Sequence, residues 1–163
     1  MHKAGFVNIV GNPNAGKSTL MNVLVGEKIS IITSKAQTTR HRIMGIVNSA
    51  DFQIVYSDTP GAIKPNYKLQ QSMMDFVNSA LTDADILLFV TDITDEAEIE
   101  TKTYTKLKEA KCPVVVLVNK TDLVNPAKVY EKINHWKAEF PSAEIIPISA
   151  PVSYTHLTLP TNR

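Results

Sequence analysis

The sequence predicts an α/β fold in three layers: a mostly parallel six-stranded sheet with helices on both faces. Three observations carry that expectation. Short apolar runs at residues 6–10, 86–90 and 114–118 alternate with longer stretches of helical spacing, the pattern that winds a parallel sheet between two helical layers. Val114-Val115-Val116-Leu117-Val118 carries no polar alternation, as a central strand buried on both faces requires. A glycine-containing loop stands between the first apolar run and a helix-like stretch that begins Thr19-Leu20-Met21.

Taken in order, Phe6-Val7-Asn8-Ile9-Val10 is the first strand, followed by that loop and helix. Residues 43–47 and 52–57 read as two strands of a hairpin across the turn-like Asn48-Ser49-Ala50, and residues 43–47 should be the only antiparallel neighbour. Met73-Met74, Phe76-Val77 and Ala80-Leu81 fall at helical spacing, with the methionines as packing residues. The strand 86–90, a further helix and the strand 114–118 follow. Trp136, with Ile133 and Phe140, marks the inner face of a helix in residues 126–139 and reads as core, and Glu144-Ile145-Ile146-Pro147-Ile148 is the last strand.

Residues 11–18, Gly11-Asn12-Pro13-Asn14-Ala15-Gly16-Lys17-Ser18, match G-x-x-x-x-G-K-[ST] in the strand, loop, helix context that motif needs. Glycine at both ends lets successive backbone N–H groups turn inward at a helix N-terminus and form an anion cradle. Phosphate oxygens belong there. Lys17 would set its charge against the β- and γ-phosphates, and the Ser18 hydroxyl can join the oxygen shell of Mg²⁺, with Thr19 completing the phosphate-contacting set.

Two further segments open at strand ends. Asp58-Thr59-Pro60-Gly61 closes the strand 52–57, where a carboxylate can reach Mg²⁺ through water and the Gly61 N–H can approach a γ-phosphate. Asn119-Lys120-Thr121-Asp122 closes the strand 114–118 at the carboxyl edge of the sheet, where ligands bind in such folds. Asp122 can accept two N–H bonds from the Watson–Crick edge of guanine, whereas adenine would leave it poorly paired. Asn119 would brace the loop or meet the base, and the Lys120 stem could lie along the ring. The three segments in this order imply a guanine-nucleotide site on a P-loop GTPase (Ras-like) fold that takes GTP and GDP.

Composition agrees with one domain: 163 residues, 44% apolar and 20% charged, can bury a substantial core. With 17 basic and 16 acidic residues the net charge is +1, so the overall balance does not call for nucleic acid. Lys35, Arg40, His41 and Arg42 form a local basic cluster that reads as a solvated face. Cys112 is the only cysteine, which excludes an intrachain disulfide, and it reads as a small apolar residue near a strand start. The four histidines, His2, His41, His135 and His156, lack metal-ligand spacing. The N-terminus carries no apolar signal and no run reaches about 18 apolar residues, so a cytoplasmic location is expected.

The run Ile31-Ile32-Thr33-Ser34-Lys35-Ala36-Gln37-Thr38-Thr39-Arg40-His41-Arg42-Ile43, with the Asn-Pro-Asn phosphate loop and Asp-Thr-Pro-Gly, resembles the Era-type GTPases of the wider TrmE–Era class over residues 1–150. The nucleotide motifs point only to the class, while Lys-Ala-Gln-Thr-Thr-Arg-His-Arg is close to Era-specific. The resemblance implies that residues 37–41 are the first switch and that Thr39 coordinates Mg²⁺ alongside Ser18 and Asp58, with Thr38 as the alternative. It also implies that Ala62 stands where Ras-type GTPases have a water-orienting glutamine. Some members use potassium beside the phosphates, with the asparagine matching Asn14 as ligand; the other reading of Asn14 is a loop residue bonded to its own backbone. The catalytic set is then Lys17, Thr39, Gly61 and Asn14.

Ser149-Ala150 matches the start of a fifth motif whose backbone would contact the base. The family continues with a glycine-containing turn and a final helix; residues 151–163 carry Thr and Pro instead and read as a non-family tail, a sequencing or assembly artefact, with a natural short variant as the alternative. The closing helix is then missing or aberrant and the KH RNA-binding domain absent. The resemblance implies a role in 16S rRNA processing and small (30S) ribosomal subunit assembly, with the subunit and its rRNA met through the KH domain. It further implies a monomer and allows peripheral association with the inner membrane. The alternatives are a nucleotide-binding fragment without turnover, or another TrmE–Era GTPase acting in tRNA modification or large-subunit assembly.

Overall fold

The computed structural model describes residues 1–26, 41–96 and 98–150. Its elements are β1 (Lys3–Gly11), α1 (Lys17–Val25), β2 (Ile43–Asn48), β3 (Phe52–Asp58), α2 (Lys68–Asp83), β4 (Ile86–Asp92), α3 (Thr101–Lys108), β5 (Val114–Asn119), α4 (Pro126–Glu139) and β6 (Glu144–Pro147), with a 3₁₀ turn at Thr121–Leu123. The strands form one six-stranded sheet in the order β2-β3-β1-β4-β5-β6. As expected, β2 alone runs antiparallel, with Ile43 opposite Asp58 and Asn48 opposite Gln53. All other pairings are parallel.

The alternation of side chains along the strands divides the core. On one face α2, α3 and α4 pack Met74, Val77, Leu81, Leu107 and Phe140 against Val10, Leu87, Phe89, Val116 and Val118. On the other, α1 sets Leu20 and Met21 against Ile9, Val90, Leu117 and Ile148. Trp136 meets Phe89 edge-on at 5.3 Å and Phe140 at 6.1 Å, the packing role its spacing indicated. Cys112, just ahead of β5, is half-buried against the same core. Local chemistry sets the helix starts. Asn125 accepts from Lys128 N at 2.9 Å as the N-cap of α4, ahead of Pro126 in the first turn. α1 begins at Lys17, two residues before the helical run in the sequence, because Gly16 turns left-handed and hands its successor straight into the helix.

One expectation is corrected. Arg42, read as part of a solvated basic face, has a side chain only 9% exposed. Its Nε donates to Ser57 Oγ at 2.5 Å, and its two terminal nitrogens grip Asp83 Oδ2 and Oδ1 at 2.6 and 2.8 Å. Asn8 Nδ2 donates to the same Asp83 carboxylate at 2.7 Å. A planar guanidinium suits this two-pronged grip, which ties the entry of β2 to the last turn of α2. His41 lies edge-on to Phe76, also on α2.

The Arg42 hydrogen bond, with help from Asn8, holds the Asp83 carboxyl below the ordinary carboxylate range. Arg42→Met is expected to lower urea-unfolding stability by about 1 kcal/mol at neutral pH, because the Asp83 carboxylate is 51% exposed and water screens the pair. A depressed carboxylate pKa contributes stability above its unfolded value and loses it as the pH falls through the folded value. The difference between wild type and variant therefore shrinks on acidification below about pH 4. Equal stabilities at neutral pH would mean that the clamp contributes nothing.

Candidate nucleotide-binding site

The carboxyl ends of β1, β3, β4 and β5 converge on one edge of the sheet, and every described residue of the three sequence segments lies there. The loop after β1 is shaped by Gly16, at φ 101°, where a Cβ would stand 2.2 Å from Asn119 Nδ2. Any other residue there would be strained and would push the base loop away. Asn14 is also left-handed, at φ 61°.

Lys17 opens α1 with only 6% of its surface exposed. Its Nζ donates to the Asn12 carbonyl at 2.7 Å, folding the charge over the loop. Burial pushes the ammonium down from 10.5 to about 8, opposed in part by the Asp58 charge. The Ser18 hydroxyl donates to Asp58 Oδ2 at 2.6 Å, so the two expected cation ligands are brought together from α1 and the end of β3. Two adjacent oxygen donors, one anionic, suit a hard divalent cation. Among the described residues no three His, Cys, Asp or Glu side chains converge on a point.

After Asp58, Thr59 Oγ1 donates to Ile9 O at 2.8 Å and Ala62 N donates to Gly11 O at 2.9 Å. The segment is thereby laid along the phosphate loop, so closely that a Cβ on Gly61 would stand 2.6 Å from Pro13 N. A cavity of about 430 Å³ opens beside it, walled by Asn12, Pro13, Asn14, Ala62, Ile63 and Lys64 among others. Ala62, 3% exposed, offers only a methyl group.

Of the two roles open for Asn119, the contacts it makes within the chain are those of a brace. Fully buried, it donates from Nδ2 to Ala15 O at 2.9 Å and accepts from Ala150 N at Oδ1 at 3.0 Å, so it braces. Lys120, left-handed at φ 63°, donates to Asn14 O at 2.9 Å and to Asp92 Oδ2 at 2.6 Å. The Ser149 hydroxyl donates to Asp122 Oδ1 at 2.5 Å, and Thr121 donates to Ile148 O, pulling the end of β6 under the loop. Thr39, Thr38 and Gln37 lie outside the described residues. Asp92 was not singled out from sequence; its signal was its place at the carboxyl end of β4, level with Asn119.

The arrangement presents a glycine-shaped loop at a helix N-terminus, one poorly solvated ammonium, an oxygen pair suited to a cation and a carboxylate beside Ser149. A model of the family described as 50S ribosome-binding GTPase matches residues 6–120. GTPase Era of Clostridium botulinum (strain Eklund 17B / Type B) is 44% identical over 151 residues, which are 92% of this chain and 51% of that protein. The chain spans about half the length of the curated relatives it matches. Among solved structures, Era in complex with MgGDPNP and nucleotides 1506–1542 of 16S ribosomal RNA aligns with a TM-score of 0.84 and 41% identity over 92% of this chain and 52% of its own. A variant of Aquifex aeolicus Era bound to GDP·AlF4⁻ aligns at 0.83 and 40% over 91% and 52%.

Proposed function

We propose, on the premise that this chain belongs to the family of 50S ribosome-binding GTPases, that residues 1–150 are the GTP-binding and GTP-hydrolysing domain of an Era-type enzyme. The observation that carries the reading is the brace at Asn119. It joins the phosphate loop at Ala15 to the base loop and to Ala150, so the phosphate and base subsites are tied directly to each other.

The chain's own residues divide the work. The loop N–H groups and Lys17 bind and orient the phosphates. Ser18 and Asp58, with Thr39 by resemblance, would hold Mg²⁺, which when bound would offset phosphate charge in hydrolysis. Gly61 brings its N–H toward the terminal phosphate. Asp122, steadied by Ser149, reads guanine. The Ala62 methyl cannot polarise water; a potassium ion, for which Asn14 would be the ligand by resemblance, would supply positive charge beside the phosphates.

The solved Era complex with 16S rRNA favours small-subunit maturation over tRNA modification or large-subunit assembly as the setting. In a longer protein of this kind the rRNA would be met through a KH domain. The setting is the cytoplasm, with a monomer as the working unit and peripheral contact with the inner membrane as a further property of a longer protein of this kind. No described helix is long and apolar enough to cross a membrane.

Binding to the native state raises apparent stability. With Mg²⁺ present, GDP is expected to raise the melting temperature of the chain while ADP leaves it unchanged, and single-turnover GTP hydrolysis should run faster in potassium than in sodium buffer. Equal shifts with both nucleotides would overturn guanine selectivity. Binding without turnover would leave the fragment reading, and equal rates in the two salts would remove the potassium ion.

A further inference from the structure

We propose that Asp92 is a positioning residue that controls how long the site retains its guanine nucleotide, acting through Lys120. The inference rests on the guanine-nucleotide reading and adds a residue that none of the three motifs contains.

Asp92 ends β4 directly beside Asn119 in the sheet, with 10% of its side chain exposed. Both carboxylate oxygens are engaged. Oδ1 accepts from Thr94 N at 2.8 Å and from Thr94 Oγ1 at 2.7 Å, which fixes the carboxylate in a tight turn. Oδ2 accepts from Lys120 Nζ at 2.6 Å. That ammonium also reaches the Asn14 carbonyl at 2.9 Å, although Asn14 stands 106 residues away in the chain.

The geometry makes Lys120 a strut. Its backbone belongs to the base loop, two residues before Asp122, and its tip belongs to the phosphate loop. A lysine stem has many rotamers, and a strut with a loose end does not hold two loops together. Asp92 supplies the second anchor and the compensating charge. Its partners are set before any nucleotide arrives, so the cost of ordering Lys120 is not met at binding. Without Asp92 the two loops part more easily around a bound nucleotide. Encounter rates depend on diffusion and orientation, so the loss falls on release.

The test is stopped-flow exchange of a fluorescent GDP analogue on the whole chain with Mg²⁺. Asp92→Ala is expected to speed release by about tenfold, the scale of one hydrogen bond between charged groups, with association within about twofold of wild type. Guanine should remain preferred to xanthine, because Asp122 is untouched. Asp92→Asn, which keeps an oxygen for Lys120 but opposes Thr94 with an amide, should lie between the two and serves if the alanine variant does not fold. Lys120→Ala should also speed release, and Asp92→Ala added to it should change nothing further.

Wild-type release from Asp92→Ala or Asp92→Asn overturns the inference while leaving the nucleotide site standing. Equal acceleration in the Lys120→Ala background also overturns it, since a general structural role adds wherever Lys120 is absent. A wild-type chain that takes up no GDP analogue overturns the nucleotide reading and this inference with it.

Discussion

Asp122→Asn is expected to turn a guanine site into a xanthine site. On the proposed reading the carboxylate would accept N–H bonds from guanine's ring nitrogen and amino group, whereas an amide would present a donor to an edge that offers donors. Xanthine replaces the amino group with a carbonyl, which that amide can satisfy. Sites built on buried hydrogen bonds discriminate by roughly 10⁴ or more, so the preference for GDP over XDP should fall by about that factor or reverse. Ser149 makes the substitution tractable. Its hydroxyl donates to Asp122 Oδ1 at 2.5 Å and can equally donate to an asparagine oxygen, which leaves the amide nitrogen for the base. Melting with GDP and XDP checks this directly, and retained GDP selectivity would remove Asp122 from its assigned role.

Lys17→Ala should produce opposite effects in the empty and loaded chain. Truncating one partner of a buried charge pair costs about 2–5 kcal/mol, so GDP affinity is expected to fall by between about thirtyfold and several thousandfold. In the nucleotide-free chain the same change removes a charge that burial has pushed from 10.5 to about 8. Below about pH 8 both folded and unfolded chains hold the proton, and the burial cost, about 3 kcal/mol from the size of the shift, is fully present. Between about pH 8 and 10.5 the unfolded chain binds more protons, so native stability rises with pH across that window.

The wild-type melting temperature without nucleotide should therefore climb from about pH 8 to 10 relative to Lys17→Ala. A phosphate ligand would restore the proton, so GDP affinity should fall over the same interval. Parallel melting curves for wild type and variant would show that Lys17 is already well compensated.

Most of the fold could be read from the sequence because strand periodicity and strand–helix alternation are local properties. The contiguous valines of β5 and the Asn48-Ser49-Ala50 turn were sufficient for their elements. The site motifs were legible for the same reason, each being a few consecutive residues at a strand end. What escaped depends on distant neighbours. Thr91 and Asp92 look like loop residues, yet the backbone pairs them with Val118 and Asn119. Arg42 sits in a basic run, and only the fold brings Ser57 and Asp83 to it. The role of Asn119 hung on Ala15, 104 positions earlier.

That last contact also orders events in time. Asn119 joins Ala15 to Ala150, while Asp122 waits for Ser149 to hold it. A chain emerging from the ribosome would expose its phosphate loop early, yet the parts that make the loop selective come last. Contacts spanning long sequence separations form late, because chain entropy must be overcome before they contribute. On the proposed reading, guanine recognition would therefore belong to the folded domain as a whole, and a nascent fragment that ends before Ser149 would hold the phosphate loop without a steadied Asp122.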